Sequence, residues 1–319
     1  ANTTGALTKI GSGTLTLGGN NQYTGVTTIN AGTLALSSSA AIGGALIIDS
    51  AGVLDLQFAG TVSLSSTLTM SSGAAITNSG SASNLSVAGV SILAGSISTK
   101  GSQTYGDTVT LATSTSITST GLGSGGNISF NSTVDGSSDN GQSLTISSSG
   151  AMTFNAQIGG IHSLSSFTTG SGTTSLAGNV TTSGGQSYGG NVSLTGNISL
   201  ITTNSQVDIA GSITLTNILQ FTGGGAYILN GTAVANAGAA QYSNSLLSNA
   251  GSLSWDGSTY SWVANSSTSN AQYLVVGGGG GGGSSSVFSD GGVGGGGGGG
   301  AVVSSSSALL QDGTTYSIK

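Results

Sequence analysis

The stretch Gly11–Leu36 limits what this chain can fold into more than any other part of the sequence. It reads GSGTLTLGGNNQYTGVTTINAGTLAL, in which apolar residues alternate with threonine and each short run ends at a Gly- or Asn-rich turn. This alternation is typical of half-buried strands joined by tight turns, and no helical stripe of useful length appears. We therefore predict an all-β fold.

The same pattern returns through the first hundred residues. Pairs of apolar positions follow one another at Leu15/Leu17, Leu34/Leu36, Leu46/Ile48, Leu54/Leu56, Val62/Leu64, Leu68/Met70, Leu85/Val87 and Ile92/Ile97. Comparable features recur at roughly 20 residues, within the range of solenoid repeats. Because a short strand cannot bury an apolar face alone, we expect parallel coils that pair with the coils above and below. A β-sandwich also has short strands, but the repeats and the lack of an Asn-Gly hairpin series favour the solenoid.

A second repeat is longer. Residues 101–111 read GSQTYGDTVTL and residues 184–194 read GGQSYGGNVSL, so that Gln103 and Gln186 lie 83 residues apart. Tyr105 and Tyr188 share this offset. Internal duplication on top of short strand units supports a stacked, quasi-one-dimensional fold.

The character of the sequence changes near residue 240. Asp256-Gly257 and Asp312-Gly313 each lie between strand-like flanks, and Asp-Gly is a hairpin signal. Two pure glycine runs, 277–283 and 294–300, lie between these dipeptides. We predict a solenoid over residues 1–239 and a distinct, small Gly-rich β region over 240–319.

Charge and composition exclude several partners. Only 4% of residues are charged, the net charge is −6 and the mean hydropathy is +0.24. Nucleic acid and anionic membranes need clusters of Lys or Arg, whereas Lys9, Lys100 and Lys319 are far apart in the sequence. The chain has no cysteine and no apolar run long enough to span a membrane as a helix. The lack of cysteine suits an exported protein, and because the chain begins at Ala1 we expect a mature or excised piece.

Specific residues in the first repeat carry a family resemblance. They are Gly13-Thr14-Leu15-Thr16-Leu17, Asn20, Tyr23-Thr24-Gly25, Thr27, Ile29 and Gly32-Thr33-Leu34-Ala35-Leu36. The stretch 11–36 resembles the passenger-associated strand repeat of bacterial autotransporter adhesins, and 101–240 resembles the repeats of filamentous-haemagglutinin-like surface proteins. The Gly-rich end resembles the Gly-rich modules of phage tail adhesins and large surface proteins. The first two resemblances imply a right-handed parallel β-helix (β-solenoid), secreted by a Gram-negative bacterium, with a role in adhesion, aggregation or matrix building.

Catalysis and metal binding are not expected from the titratable residues. The chain has nine Asp and no Glu, and the nearest pairs are Asp49/Asp55, which we expect to mark turns, and Asp135/Asp139. Residues 134–141 (VDGSSDNG) could form a calcium loop, but an ordinary Asx turn is favoured because the bidentate Glu is missing. His162, the only histidine, is interpreted as a bystander in a turn. We therefore predict no enzyme activity, no cofactor and no metal.

The C-terminal region holds the candidate contact residues. Trp255, Tyr260, Trp262 and Tyr273 could form a glycan platform or a cap over the last coil, and the cap is favoured. The glycine runs and their valine flanks are either a flexible linker or an assembly contact. The assembly contact would comprise Val275, Val276, Gly277, Gly283, Gly294, Gly300, Val302 and Val303. Outward threonines could also face ice, but no regular one-face ladder is visible in the sequence.

These observations lead to one functional expectation. We predict a secreted surface structural protein, an adhesin or an extracellular fibre subunit, located outside the cell or on the bacterial surface. Its partners would be itself, by head-to-tail or lateral contact, or surface and matrix glycans and proteins, but not nucleic acid. A glycan-binding module on a solenoid stalk is the first alternative, and a polysaccharide-active enzyme is the second.

Overall fold

The computed structural model covers most of the chain. It describes residues 4–19, 21, 23–38, 42–203, 205–215, 217, 219–222, 227–229, 233–235, 251–255, 260–264, 268–276, 302–310 and 315–318. The stacked part of the chain holds the strands β1 Leu7–Lys9, β2 Thr14–Leu17, β3 Thr27–Leu36, β4 Leu46–Leu56, β5 Gly60–Leu64, β6 Leu68–Met70, β7 Ala75–Thr77, β8 Ser83–Val87, β9 Ser91–Thr99, β10 Gln103–Tyr105, β11 Val109–Ser119, β12 Ile128–Phe130, β13 Val134–Gly136, β14 Ser143–Ser147, β15 Met152–Phe154, β16 Ser166–Thr169, β17 Thr174–Leu176, β18 Val180–Thr181, β19 Gln186–Tyr188, β20 Val192–Leu194, β21 Ile198–Ile201, β22 Val207–Ile209, β23 Ile213–Leu215, β24 Leu219–Thr222, β25 Tyr227–Leu229 and β26 Ala233–Ala235. A short 3-10 turn, Gly123–Gly126, precedes β12.

The remaining strands lie beyond residue 250. They are β27 Gly251–Trp255, β28 Tyr260–Ala264, β29 Thr268–Val276, β30 Val302–Leu310 and β31 Thr315–Ile318. The pairing changes between β26 and β27: the described pairs of strands up to β26 are parallel, whereas β27 runs antiparallel to β26. Within the described strands, the C-terminal region is therefore built by a different kind of pairing.

The strands form walls that run along the stack. A twelve-stranded sheet follows the order β31-β28-β27-β26-β23-β20-β17-β15-β12-β10-β8-β5. A fourteen-stranded sheet follows the path β1-β3-β4-β6-β9-β11-β14-β16-β19-β22-β25 with β2, β7 and β13 beside it, and β18-β21-β24 form a third sheet. Each strand up to β26 pairs with its equivalent in the next coil, so the predicted parallel β-solenoid is confirmed, with about 10 turns.

The coils differ in length. In the twelve-stranded sheet, Leu85 pairs with Gln103, Gln103 with Ile128, and Thr174 with Val192, so that these three coils take 18, 25 and 18 residues there. The expected repeat of ~20 residues is thus an average, since corner loops absorb the differences.

The core follows the predicted alternation, with one shift. The apolar residues of the predicted pairs from Leu34 to Val87 are buried, and they form one continuous cluster with Ile97 and the later coils. In β9, however, Ile92 is 38% exposed, while Ser91 and Leu93 are buried. Because neighbouring residues of a strand point to opposite faces, placing Leu93 inside turns Ile92 out and Ser91 in. The hydroxyl of Ser91 is accordingly buried without a hydrogen-bond partner.

An aromatic ladder runs through the middle of the core. The ring centroids of Tyr105, Phe130 and Phe154 are spaced 4.9 and 5.0 Å apart with nearly parallel planes. The ladder then continues edge-to-face through Phe167 to Tyr188, at 5.3 and 5.7 Å. Such contacts add stability beyond the area that they bury.

The duplicated sequence motif forms both ends of this ladder. The Tyr105 hydroxyl donates to Gln103 Oε1 at 2.9 Å, and the Tyr188 hydroxyl donates to Gln186 Oε1 at the same distance. Each Gln amide in turn donates to a threonine hydroxyl four residues earlier, that of Thr99 or Thr182. The two copies share one network on different walls, because β10 belongs to the twelve-stranded sheet and β19 to the fourteen-stranded sheet.

One of the two predicted hairpins is confirmed and the other is wrong. β27 and β28, which flank Asp256-Gly257, pair antiparallel, with Trp255 opposite Tyr260. The strands that flank Asp312-Gly313 belong to different sheets: β30 pairs with β29, and β31 pairs with β28. The edge of β28 accepts β31, so β30 and β31 lie in two different sheets and do not form a hairpin.

We expect Phe130→Ala to lower the free energy of unfolding by about 3–5 kcal/mol, because it removes a fully buried ring from the ladder. Urea unfolding, followed by circular dichroism, measures this. Ser129→Ala is the matched control, since the neighbouring side chain lies on the outer face of the same strand and its loss should be nearly neutral. Equal destabilisation by both variants would contradict the role of the ladder.

Candidate functional site

The strands of the two large sheets differ in their content of charged residues. The strands of the twelve-stranded sheet contain no charged residue, from β5 at one end to β31 at the other. In the fourteen-stranded sheet, β1, β4, β13 and β22 contain Lys9, Asp49, Asp55, Asp135 and Asp208. The solenoid therefore has one long uncharged wall.

A column of hydroxyl groups follows the outer face of the uncharged wall. The strand register aligns one outward residue per coil, in the order Ser63, Ser86, Thr104, Ser129, Thr153, Ser175, Ser193 and Thr214. None of these eight hydroxyls hydrogen-bonds to another described residue. Strand spacing places them about 4.8 Å apart on a rigid support. This is a regular ladder, which could not be seen in the sequence because the coils differ in length.

Lys9 anchors the first coils without a carboxylate partner. Its side chain is only 6% exposed. Its ammonium donates to the carbonyl oxygens of Ile10 at 2.9 Å, Gly11 at 2.7 Å and Ala31 at 2.9 Å. Gly32 packs against this hub with φ of +71°, and a Cβ there would lie 2.8 Å from Lys9 Nζ. Only glycine combines this left-handed backbone with so close an approach.

Asp55 is a second buried charge, held by neutral donors. It accepts hydrogen bonds from Gln57 Nε2 at 2.8 Å, Thr77 Oγ1 at 3.0 Å, and the Ser79 amide and hydroxyl at 2.9 and 2.5 Å. Burial alone would raise the pKa of Asp55, but the bonds from Ser79, Gln57 and Thr77 together lower it below its ordinary value. The carboxylate thereby ties its own coil to the next one.

The prediction that Asp49 and Asp55 mark turns is wrong. Both lie inside β4, which runs unbroken from Leu46 to Leu56. The local sequence does not predict a buried Asp in this strand, because three of its four donors come from residues 77–79, which only coil stacking brings close. The signal that could have found it is the run of polar residues one coil later, Thr77 to Ser79.

The segments that contain Asp135, Asp139 and His162 are joined by hydrogen bonds between neighbouring coils. Asp135 Oδ1 accepts the Ile161 amide at 2.8 Å, and Asp139 Oδ1 accepts the Ser163 amide at 3.2 Å and lies 3.2 Å from His162 Nδ1. Both side chains of the Asp139–His162 pair are substantially exposed, and such pairs contribute little to stability. Among the described residues, no three His, Cys, Asp or Glu side chains converge on one point. The arrangement suits a loop clasp that holds two coils together.

Three of the four predicted aromatic positions fall in one antiparallel sheet. Trp255 pairs with Tyr260, and Trp262 pairs with Leu253 on one side and with Tyr316 on the other. Leu253 pairs with Ala233, which pairs with Ile213, so these antiparallel strands continue the twelve-stranded sheet of the solenoid. Tyr273 lies in β29, in a separate two-stranded sheet.

The valine positions of the predicted assembly contact lie opposite each other in the β29–β30 ribbon, while the contact itself stays a prediction. Val275 pairs with Val303 and Val276 with Val302, at the end of the β29–β30 ribbon next to the glycine runs. The positions Gly277, Gly283, Gly294 and Gly300 lie outside the described residues.

Two parts of the chain match known families. Residues 7–36 match the sequence model of the passenger-associated-transport-repeat, and residues 254–319 match that of a glycine-rich domain. The resemblance to an autotransporter passenger repeat with a Gly-rich C-terminal module is thus confirmed. The first match covers β1 to β3, the part of the chain with the Lys9 hub. Searches of the curated proteins and of the solved structures find no match.

The fold and these matches agree on the kind of protein that the chain is similar to. The chain is a parallel β-solenoid, and the match of its first coils to a passenger-associated repeat suggests an autotransporter passenger-like protein of the secreted or surface type. Among the described residues, no helix is long and apolar enough to cross a membrane.

We expect Lys9→Met to cost about 1–3 kcal/mol, because the three carbonyl oxygens lose a charged donor. The loss should appear as faster amide hydrogen exchange in β1 and β2 than in the central coils. Lys100→Met is the matched control, since the exposed Lys100 ammonium also contacts two carbonyl oxygens, those of Ser79 and Gly80. An effect of Lys100→Met as large as that of Lys9→Met would argue against a buried hub.

We expect Asp55→Asn to destabilise the protein by about 1–3 kcal/mol at neutral pH, because it replaces a charged acceptor of four hydrogen bonds. The pKa of Asp55 is lowered in the folded state, so its stabilisation is present above the ordinary carboxyl value of 3.8 and is lost as the pH falls through the folded value. The difference between wild type and variant should therefore shrink on acidification. Thermal unfolding between pH 7 and pH 2 tests this, with Asp107→Asn as the charge-matched control, and a difference that stays constant with pH would refute it.

Proposed function

We propose that the chain is a non-catalytic structural segment of a secreted bacterial surface protein, which acts as an adhesin or extracellular fibre subunit. The uncharged wall with its eight free hydroxyls carries this proposal. Its hydroxyls are both donors and acceptors, and they stand in a straight line on a rigid sheet. A surface of this kind suits many weak contacts with neutral hydroxyl-rich or amide-rich partners, and such contacts add through multivalency.

The titratable groups support a non-catalytic role. Polysaccharide-active sites need carboxylates that converge on one bond, usually within a few ångströms of each other. The described carboxylates instead serve the fold: Asp55 binds Ser79, Asp135 binds the Ile161 amide, and Asp139 binds the Ser163 amide. We therefore propose that the chain is not a polysaccharide-active enzyme.

We favour a cap over a glycan platform at the C-terminal end. Trp255, Tyr260 and Trp262 lie in strands that pair onto β26, the last strand of the stacked coils in this wall. We therefore place the contact surface of the proposed adhesin on the hydroxyl column, not on these aromatic residues.

The test is to add charge to the column. The triple variant Ser86→Asp, Ser129→Asp and Ser175→Asp places carboxylates on alternate coils of the uncharged wall. We expect its retention on surfaces coated with a neutral polysaccharide to fall at least tenfold in surface plasmon resonance.

The matched control adds the same charge to the other wall. Ser96→Asp, Thr145→Asp and Ser187→Asp also lie on alternate coils, on the outer face of the fourteen-stranded sheet. Retention close to that of wild type is expected for this control. Unchanged retention of the column variant, or an equal loss in both, would overturn the proposal.

A further inference from the structure

The β29–β30 ribbon stands apart from the sheets of the solenoid. Its two strands have nine residues each and pair antiparallel with each other. Among the described strands, neither has another neighbour, whereas β28 and β31, which precede and follow the ribbon in the chain, belong to the twelve-stranded sheet. The ribbon is thus a long excursion from that sheet with two free strand edges.

The described strands of the ribbon lack two of the features that normally protect free edges, charge and proline. Proteins blunt such edges with charged residues, proline, bulges or short strands. β29 reads TSNAQYLVV and β30 reads VVSSSSALL, with no charge and no proline in either. The register is irregular only between Thr268 and Tyr273, and it is regular from Tyr273 to Val276. A two-stranded ribbon is also only marginally stable in water until a further strand joins it.

We propose that β29 pairs edge-to-edge with β29 of a second copy, so that two ribbons form one four-stranded antiparallel sheet. Self-pairing of a strand about a two-fold axis places residue i opposite residue j and residue j opposite residue i, so any charge on the strand faces a second copy of that strand, where like charges repel. β29 carries none. β30 contains a run of four serines, which have lower strand propensity than the Tyr-Leu-Val-Val end of β29, so we assign β29 as the pairing edge.

This inference rests on the proposed surface role, to which it adds a defined self-association contact. It assigns the contact to the chain between Thr268 and Val276, next to the glycine runs. Pairing through ribbons would join two solenoids by their C-terminal ends, since the twelve-stranded sheet holds both ends of the excursion. The partner is therefore a second copy in an end-to-end arrangement, not a lateral neighbour.

Cysteine cross-linking in the full chain tests the contact directly, because the natural sequence has no cysteine. Asn270→Cys, Gln272→Cys and Leu274→Cys sample β29, Ser304→Cys samples β30, and Thr145→Cys on the outer face of the fourteen-stranded sheet is the control. Under mild oxidation at micromolar concentration, we expect at least one β29 variant to form disulfide-linked dimers tenfold faster than the Thr145 and Ser304 variants. Equal rates at all sites, or dimers from Ser304→Cys alone, would overturn the proposal.

A second pair of variants tests the same contact without introducing a cysteine. Gln272→Lys with Leu274→Lys charges the β29 edge, and Ser96→Lys with Thr145→Lys adds the same charge to the solenoid. Analytical ultracentrifugation should show dimers for wild type and for the solenoid variant, with at least tenfold weaker association for the β29 variant. Association that is unaffected by the β29 lysines would contradict the inference.

Failure of the inference can be told apart from failure of the proposed function. If the ribbon variants behave like wild type while the Ser86, Ser129 and Ser175 variant still loses retention on neutral polysaccharide, the ribbon contact is wrong and the adhesive wall stands. If retention is unaffected but the β29 cross-links form, the adhesive wall is wrong and the association contact stands.

Discussion

Hydrogen bonding between equivalent strands of successive coils is the constraint on which the rest of the structure depends. Parallel in-register pairing places each residue directly over its counterpart in the next coil, so that side chains form columns. Leu15 lies over Leu34, Leu34 over Leu54, and Leu54 over Ile76. The hydroxyl column and the aromatic ladder arise in the same way. Chemistry that is placed at one position of a coil is thereby extended along the rod.

The same constraint explains why so few residues are charged. A charge in a column has its nearest neighbours only about 4.8 Å away, and a like charge there would repel it. The column neighbours of Asp55 are Ala35 and Thr77, and those of Asp208 are Ser187 and Ile228. Each carboxylate is thus isolated between neutral residues. The chain uses its few charges as local clamps, as Lys9 and Asp55 show, and covers its walls with hydroxyl groups.

The sequence predicted the strands, the coils and the family, because each depends on a local pattern. It did not predict which wall a residue joins, because that depends on the lengths of all the corners before it. The two Gln-x-Tyr motifs look like one repeated unit, yet Gln103 and Gln186 lie on different walls. The hydroxyl column and the charge-free wall were hidden for the same reason. The prediction for Asp55 was wrong because most of its hydrogen-bond donors belong to another coil.

The C-terminal end shows what happens when stacking stops. The last coil leaves an edge at β26, and the antiparallel strands β27, β28 and β31 extend that wall. Because β27 occupies the edge of β26, a further parallel coil cannot pair with β26 on this wall. In the two proposed roles, a rod that ends in this way uses the hydroxyl wall for adhesion along its length and the β29–β30 ribbon for association at its end.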